Sequence, residues 1–197
     1  MNFLAHAHLA DITGSSITAN LLGDFTKGVD VRQFNQQWQS GIKLHRKIDV
    51  FTDSHPEIKQ CRIELGELRR YGGIIVDIIA DHIIAKNFQQ LSDETLLDFS
   101  TRVYRELEQN YAALPQRFQT VSQRMVSSNW FVSYQHLPKI ELALARTAGR
   151  LSNNPPLAKG LAWYQANPVT IEERLLTFYR ELCAYSLDAY KQLAADD

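Results

Sequence analysis

Side chains able to hold a metal ion crowd the first 82 positions of this chain. Five of its six histidines lie there: His6, His8, His45, His55 and His82. Three polar pairs are spaced by four residues: Asn20 with Asp24, His45 with Asp49, and Asp77 with Asp81, which His82 follows directly. Residues four apart on a helix point the same way. Each pair sits among apolar neighbours: Leu21-Leu22 before Asp24, Ile48, Val50 and Phe51 around Asp49, and Ile78-Ile79-Ala80 before Asp81. A carboxylate in such a setting is costly unless it is paired or binds a metal. Groups on several helices can converge inside a bundle, which is how helical metal sites are built. Imidazole mixed with carboxylate suits Mn, Fe or Zn. A metal held this way lowers the pKa of a bound water and polarises a phosphoryl oxygen.

Each pair also has a plainer reading. One His-x-x-x-Asp on a helix is often only a hydrogen-bonded pair or a solvated face, and the case rests on three pairs together. His55 and His136 adjoin proline-containing breaks and read as loop or cap residues. His6 and His8 are two apart, so on a helix at most one of them faces a common site. Trp130, Phe131, Tyr134, Trp163 and Tyr164 read as core.

The elements that must position these residues are helical. Ser15-Ser16 can cap a helix through Ile17, Leu21, Leu22 and Asp24, with Gly28 ending it. Trp38, Ile42, His45 and Asp49 step by four, three and four along one helix face. Ser54-His55-Pro56-Glu57 reads as a capping box with proline in the first turn. Gly72-Gly73 should break that helix, and another should run from about 74 to 89. Ser92 is expected to cap the next helix, and Thr170-Ile171-Glu172-Glu173 to open the final one. No Asn-Gly or Asp-Gly hairpin occurs and strand alternation is weak. The expectation is an all-α chain, one domain over residues 1–197, with eight to ten helices.

Bulk properties fit this picture. The 197 residues suit a single sizeable core. A net charge of −1 gives no bulk attraction to nucleic acid or to an anionic membrane. No apolar run is long enough to span a bilayer, and the first residues lack the basic and apolar regions of a signal peptide. Cys61 and Cys183 read as free thiols in a reducing compartment, so a cytoplasmic location is expected. Local charge is less even. Lys27, Arg32, Lys43, Arg46, Lys47, Arg62, Arg69 and Arg70 form a basic set near the pairs. It is either a solvated surface or a docking patch for an acidic partner or phosphate oxygens.

Four segments carry a family resemblance: Asn2-Phe3-Leu4-Ala5-His6-x-His8-Leu9-Ala10, Asn20-Leu21-Leu22-Gly23-Asp24-Phe25, Gly41-Ile42-x-x-His45-Arg46-x-Ile48-Asp49-x-x-Thr52-Asp53 and Asp77-x-x-x-Asp81-His82. In order and spacing they resemble the acyl carrier protein phosphodiesterases, a divergent branch of the all-α HD-type metal phosphohydrolases. The resemblance implies removal of 4′-phosphopantetheine from the serine of holo-acyl carrier protein, with Mn²⁺ or, less well, Mg²⁺. It implies Asp24, His45, Asp49, Asp81 and His82 as metal and catalytic residues, supported by His6 and Asp77. The adjacent His-Asp pair of ordinary HD proteins is missing, and the one adjacent pair here is reversed, Asp81-His82. On chemical grounds, Arg46 could neutralise phosphoryl charge, and His45 or His82 could move a proton if not a ligand. Carrier proteins are small and acidic, which gives Lys43, Lys47, Arg62, Arg69 and Arg70 a docking role. Two rivals stand beside this reading: an HD-type hydrolase of nucleotides or other small phosphoesters, and a non-enzymatic helical interaction module whose His/Asp pairs only fix helix register.

Overall fold

The computed structural model describes residues 1–195 and is all-α, with no strand among them. Its helices are α1 (Phe3–Thr13), α2 (Ile17–Leu22), α3 (Gln36–Ser54), α4 (Pro56–Glu64), α5 (Gly72–Lys86), α6 (Leu96–Gln109), α7 (Gln116–Ser127), α8 (Trp130–Ser133), α9 (Leu137–Ala148), α10 (Gly160–Ala166) and α11 (Pro168–Ala195). Short 3₁₀ turns join several of them, among them Gly23–Phe25 and Gly66–Tyr71.

Two helices run through the middle. Residues 4–10 of α1 are all buried, as is nearly every residue of α5 from Ile75 to Ala85. A helix that is apolar all round must be covered on every side. The cover for α1 comes from α2, α5 and α11, while α3 lies against α2 and α11. The buried apolar residues form one cluster from Met1 to Leu193. Among the described residues no helix is long and apolar enough to cross a membrane.

Local signals decide most helix ends. Ser16 caps α2 by accepting the Ala19 N–H. The cap of α4 is one residue later than the capping-box pattern suggests. His55 Nδ1 accepts the Glu57 N–H, because Ser54 still belongs to α3 and its hydroxyl donates to the Phe51 carbonyl. The break after α4 falls at Gly66, whose φ of +55° suits glycine, and Gly72 begins α5 instead of interrupting a helix. Thr95, not Ser92, caps α6. The last helix starts at Pro168 and contains Thr170, since proline is well placed in a first turn.

Candidate metal centre

The pair on α3, Asn20 of α2 and the first turns of α1 meet at one place, joined by Asp24 from the 3₁₀ turn Gly23–Phe25 and not, as expected, from the helix itself. His6, on α1, points its Nδ1 at Asn20 Oδ1, 2.9 Å away, and its Nε2 at Asp49 Oδ1, 3.1 Å away. His45 Nε2 lies 3.1 Å from Asp49 Oδ2 and 3.5 Å from Asp24 Oδ1. The two imidazoles stack, with centroids 4.1 Å apart. One ligand atom from each of His6, His45 and Asp49 falls within 4.8 Å of the others. Both histidines are buried, whereas the side chains of Asp24 and Asp49 are 57% and 39% exposed, so the cluster opens to solvent on its acidic side.

The charges follow from the packing. Burial, then the neighbouring charge of His45, lowers His6 to about 4. Burial also opposes charge on His45, but its contacts with Asp24 and Asp49 outweigh this and raise it to about 9. Burial would raise Asp49, yet the two imidazoles hold it well below the usual carboxylate range. Asp24 is likewise lowered, with the His45 ring outweighing its burial. Without an ion, the two carboxylates therefore favour a proton on His45 while His6 stays neutral, and a cation held by the same groups would take that proton's place.

A neutral imidazole has one N–H donor. With Nε2–H donating to Asp49, His6 Nδ1 is left as an acceptor, which the otherwise unpartnered Asn20 amide nitrogen can satisfy when that amide is turned end for end. With Nδ1–H donating to Asn20, Nε2 instead offers a lone pair beside Asp49, the arrangement that a cation would use. An ion bonded at about 2.1 Å to two neighbours near a right angle holds them about 3 Å apart, the spacing of His6 Nε2 and Asp49 Oδ1. The buried His45 Nδ1 and Asn20 Nδ2 have no hydrogen-bond partner, so the cluster is not closed within the protein. The mixed imidazole and carboxylate donor set fits a divalent transition-metal ion such as Mn²⁺ better than Mg²⁺, which prefers oxygen ligands alone.

The acidic residues of α5 take other places. Asp81 is fully buried, and its two oxygens accept the Leu4 and Ala5 N–H groups at 2.9 Å. Burial pushes it up to about 7 against those two donors. The α1 cap residue Asn2 makes no side-chain cap bond, so Asp81 supplies the missing acceptor from another helix. Asp77 Oδ2 is 3.4 Å from the Met1 amino group, which also lies 3.3 Å from Asp49. His82 is turned about 100° from Asp81 on the same helix. Its Nδ1 donates to the Tyr134 carbonyl, and its ring meets Tyr164 edge-on. The structure thus brings together Asp24, His45, Asp49 and His6. It joins Asp81 and Asp77 to the start of the chain and leaves His82 against α8 and α10. His8 faces away from the cluster, toward Tyr179.

The basic residues are spread more widely. Arg46 is exposed on α3, and its Nη2 reaches to 3.4 Å from the Thr26 hydroxyl, beside the turn bearing Asp24. Lys43 is exposed and Lys47 half-buried on the same helix. Arg62 is paired with Asp53 at 3.6 Å, and Arg70 lies over the Tyr71 ring. Arg69 belongs to the 3₁₀ turn before α5. Sequence spacing left two members of the site unassigned. One is Asn20 as the partner of His6. The other is Gly23, whose missing side chain makes room for the His45 ring. The Gly-Asp step after two buried leucines is the signal that marks it.

The family model described as acyl carrier protein phosphodiesterase matches residues 1–182. Curated relatives bearing that name match most of the chain. The Serratia proteamaculans protein is 33% identical over 98% of this chain and 100% of its own length. The Pectobacterium atrosepticum protein is 38% identical over 76% of this chain and 79% of its own, and the Yersinia pestis protein 34% identical over 91% and 94%. No solved structure matches the chain. With a family match along nearly its whole length, the chain belongs to the acyl carrier protein phosphodiesterase family and is a phosphoric diester hydrolase.

Proposed function

We propose that the chain releases 4′-phosphopantetheine from holo-acyl carrier protein, using a divalent ion, Mn²⁺ or Mg²⁺, held by His6, His45 and Asp49 with Asp24 at the open side. The names of the relatives support the substrate. One observation carries the ion: ligand atoms of His6, His45 and Asp49, from two different helices, converge within 4.8 Å of one another. When bound, the ion supplies Lewis acidity toward a phosphoryl oxygen.

The protein groups have separate tasks. Asn20 fixes the His6 ring through Nδ1, the kind of outer contact that orients a ligating imidazole. Asp49 bridges the two histidines. Asp24, the most exposed of the set, stands where substrate must enter. Arg46 leans over the same turn and can pair with phosphoryl oxygens as their charge develops. Water attacks phosphorus and the bond to the serine oxygen breaks. That oxygen takes a proton, leaving apo-carrier protein and 4′-phosphopantetheine. Asp81 and Asp77 act by holding the first turn of α1, and with it His6, in place. The reading implies a cytoplasmic enzyme with a protein substrate and no role for nucleic acid or membrane.

The test is a gel-shift assay of holo- to apo-carrier protein with Mn²⁺ and with a chelator, run beside cyclic and linear nucleotides. Conversion only with the ion, and no nucleotide turnover, is expected. Bound Mn²⁺, measured by elemental analysis, should be lost in His6→Ala and Asp49→Ala. Full conversion in chelator, or undiminished Mn²⁺ in both variants, would refute the ion's role. Nucleotide turnover without carrier-protein conversion would refute the substrate.

A further inference from the structure

A cleft of about 620 Å³ opens between α7, α8 and α9, on the far half of the sequence from the metal-capable pairs. Its rim is basic. Arg124 comes from α7, Lys139 and Arg146 from α9, and Arg150 from just beyond it. All four are exposed, and among the described residues none of them is in an ion pair. That sets them apart from Arg32, Arg62, Lys86, Arg102 and Arg174, each of which already faces a carboxylate. The floor is apolar. Leu142 is 41% exposed there, and Trp130 lines the same wall. Lys139, Leu142, Ala143, Arg146 and Thr147 follow i, i+3, i+4, i+7, i+8 spacing, so they form one stripe along α9.

The cleft adjoins the candidate metal centre through two sequence neighbours of its residues and one ring contact. Asn2 and Phe3 line it, next to Met1, whose amino group meets Asp49. Ile78 lines it, next to Asp77. Phe3 stacks on Phe25, the residue after Asp24, and also touches Trp130. A substrate reaching Asp24 therefore has this cleft beside it.

We infer that the α7–α9 cleft docks an acidic, helical surface of the carrier protein, an assignment that rests on the substrate proposed above. The reason is the match of charge and shape. Lys139 and Arg146 are two helical turns apart, about 10 Å, more than one phosphate can bridge. An amphipathic acidic helix can place carboxylates against such a row while its apolar face covers Leu142 and Trp130. The α3–α4 set offers no comparable row: Lys43 and Arg46 are exposed, but Lys47 is half-buried and Arg62 faces Asp53 at 3.6 Å.

The experiment uses full-length protein carrying Arg146→Glu with Arg150→Glu, and separately Lys43→Glu and Arg180→Glu, the last on an exposed face of α11. Circular dichroism checks that each is folded. Two quantities are read: kcat/KM for holo-carrier protein, and the affinity for apo-carrier protein, which lacks the scissile bond. The cleft variant should lose about tenfold or more in both at low salt, chiefly through KM, and the loss should shrink toward 0.5 M salt, roughly, as charges are screened. The Arg180→Glu control should change neither. Unchanged affinity in the cleft variant, an equal loss in Arg180→Glu, or a loss confined to Lys43→Glu would overturn the assignment. So would RNA competing at the cleft as strongly as apo-carrier protein. The apo-protein affinity keeps this test apart from the reaction itself. A wild-type enzyme that binds apo-carrier protein through the cleft but converts no holo-protein would sink the proposed reaction and leave the docking surface standing.

Discussion

Gly23 lies directly beneath the imidazole of His45: a Cβ built on it would fall 2.2 Å from the His45 Cγ and 2.3 Å from Cδ2. The ring cannot yield easily, because it is stacked on His6 and held by Asp49. Even alanine must push it away.

Gly23→Ala is therefore expected to separate stability from catalysis. Overpacking of this kind costs about 1–3 kcal/mol, a modest loss for a folded domain. Moving a proposed ligand by about 1 Å can cost on the order of 100-fold in rate. Denaturant melts should show the small loss, and turnover of holo-carrier protein should fall about 100-fold with weaker Mn²⁺ retention. Near-normal turnover in a folded Gly23→Ala protein would mean that the His45 position does not matter to the reaction.

Asp81 gives a different expectation. Its removal leaves the Leu4 and Ala5 N–H groups buried without an acceptor. Each such group costs about 1–3 kcal/mol. Asp81→Ala should thus lower Tm by about 5–20 °C for a chain of this size. Well below the melting temperature, the Mn²⁺ stoichiometry should remain that of the wild type. Loss of the ion at unchanged Tm would reverse the assignment and make Asp81 a ligand.

The contrast between His45/Asp49 and Asp81/His82 shows what the sequence can and cannot disclose. His45 and Asp49 are partners on one helix, so their spacing alone puts them side by side. Ser16, too, caps its helix where the sequence places a cap. The all-α class was legible for the same reason, since local periodicity and caps dictate helices. Asp81 pairs with backbone N–H groups 76 and 77 positions away, and a backbone donor leaves no mark in the sequence. His6 joins His45 only through the packing of α1 on α2 and α3, and α1 is buried almost all round, so no polar face announces which residue matters. The basic cleft was hidden for a third reason. Arg124 and Arg150 come from separate elements, and only the turn at α8 folds them onto one rim.

Acid sensitivity should trace partly to His8. Its Nδ1 lies 2.8 Å from the Tyr179 hydroxyl in the core, and burial lowers its pKa below the ordinary 6.5. Burial lowers His82 in the same way. The folded protein therefore resists a proton that the unfolded chain accepts. At His8 and His82 the unfolded chain therefore binds more protons below about pH 6.5, and their share of the stability falls as pH falls, while Asp81, raised to about 7, contributes in the opposite sense. His8→Phe should start less stable than the wild type, and in ion-free protein the gap between their Tm values should narrow from about pH 6.5 toward pH 5. Equal slopes in the two proteins would show that His8 is not buried in its neutral form.

Arg46 distinguishes contact with the phosphate from contact with the partner protein. It is exposed and follows His45 on α3, and its guanidinium reaches the Thr26 hydroxyl, two residues beyond Asp24. A cation at that point can touch both an incoming phosphoryl group and the surface of the carrier protein. The two roles differ in kinetics. Loss of a transition-state contact lowers kcat, by about 100-fold for one preorganised donor, and does so for large and small phosphodiesters alike. Loss of a rim charge acts on KM for the protein substrate and fades with salt. Arg46→Ala is expected to show the first pattern. Arg46→Lys should recover only part of the rate, because an ammonium keeps the charge but not the planar fork that meets two oxygens at once. A loss confined to the KM for carrier protein and abolished by salt would move Arg46 out of the reaction and into the docking surface.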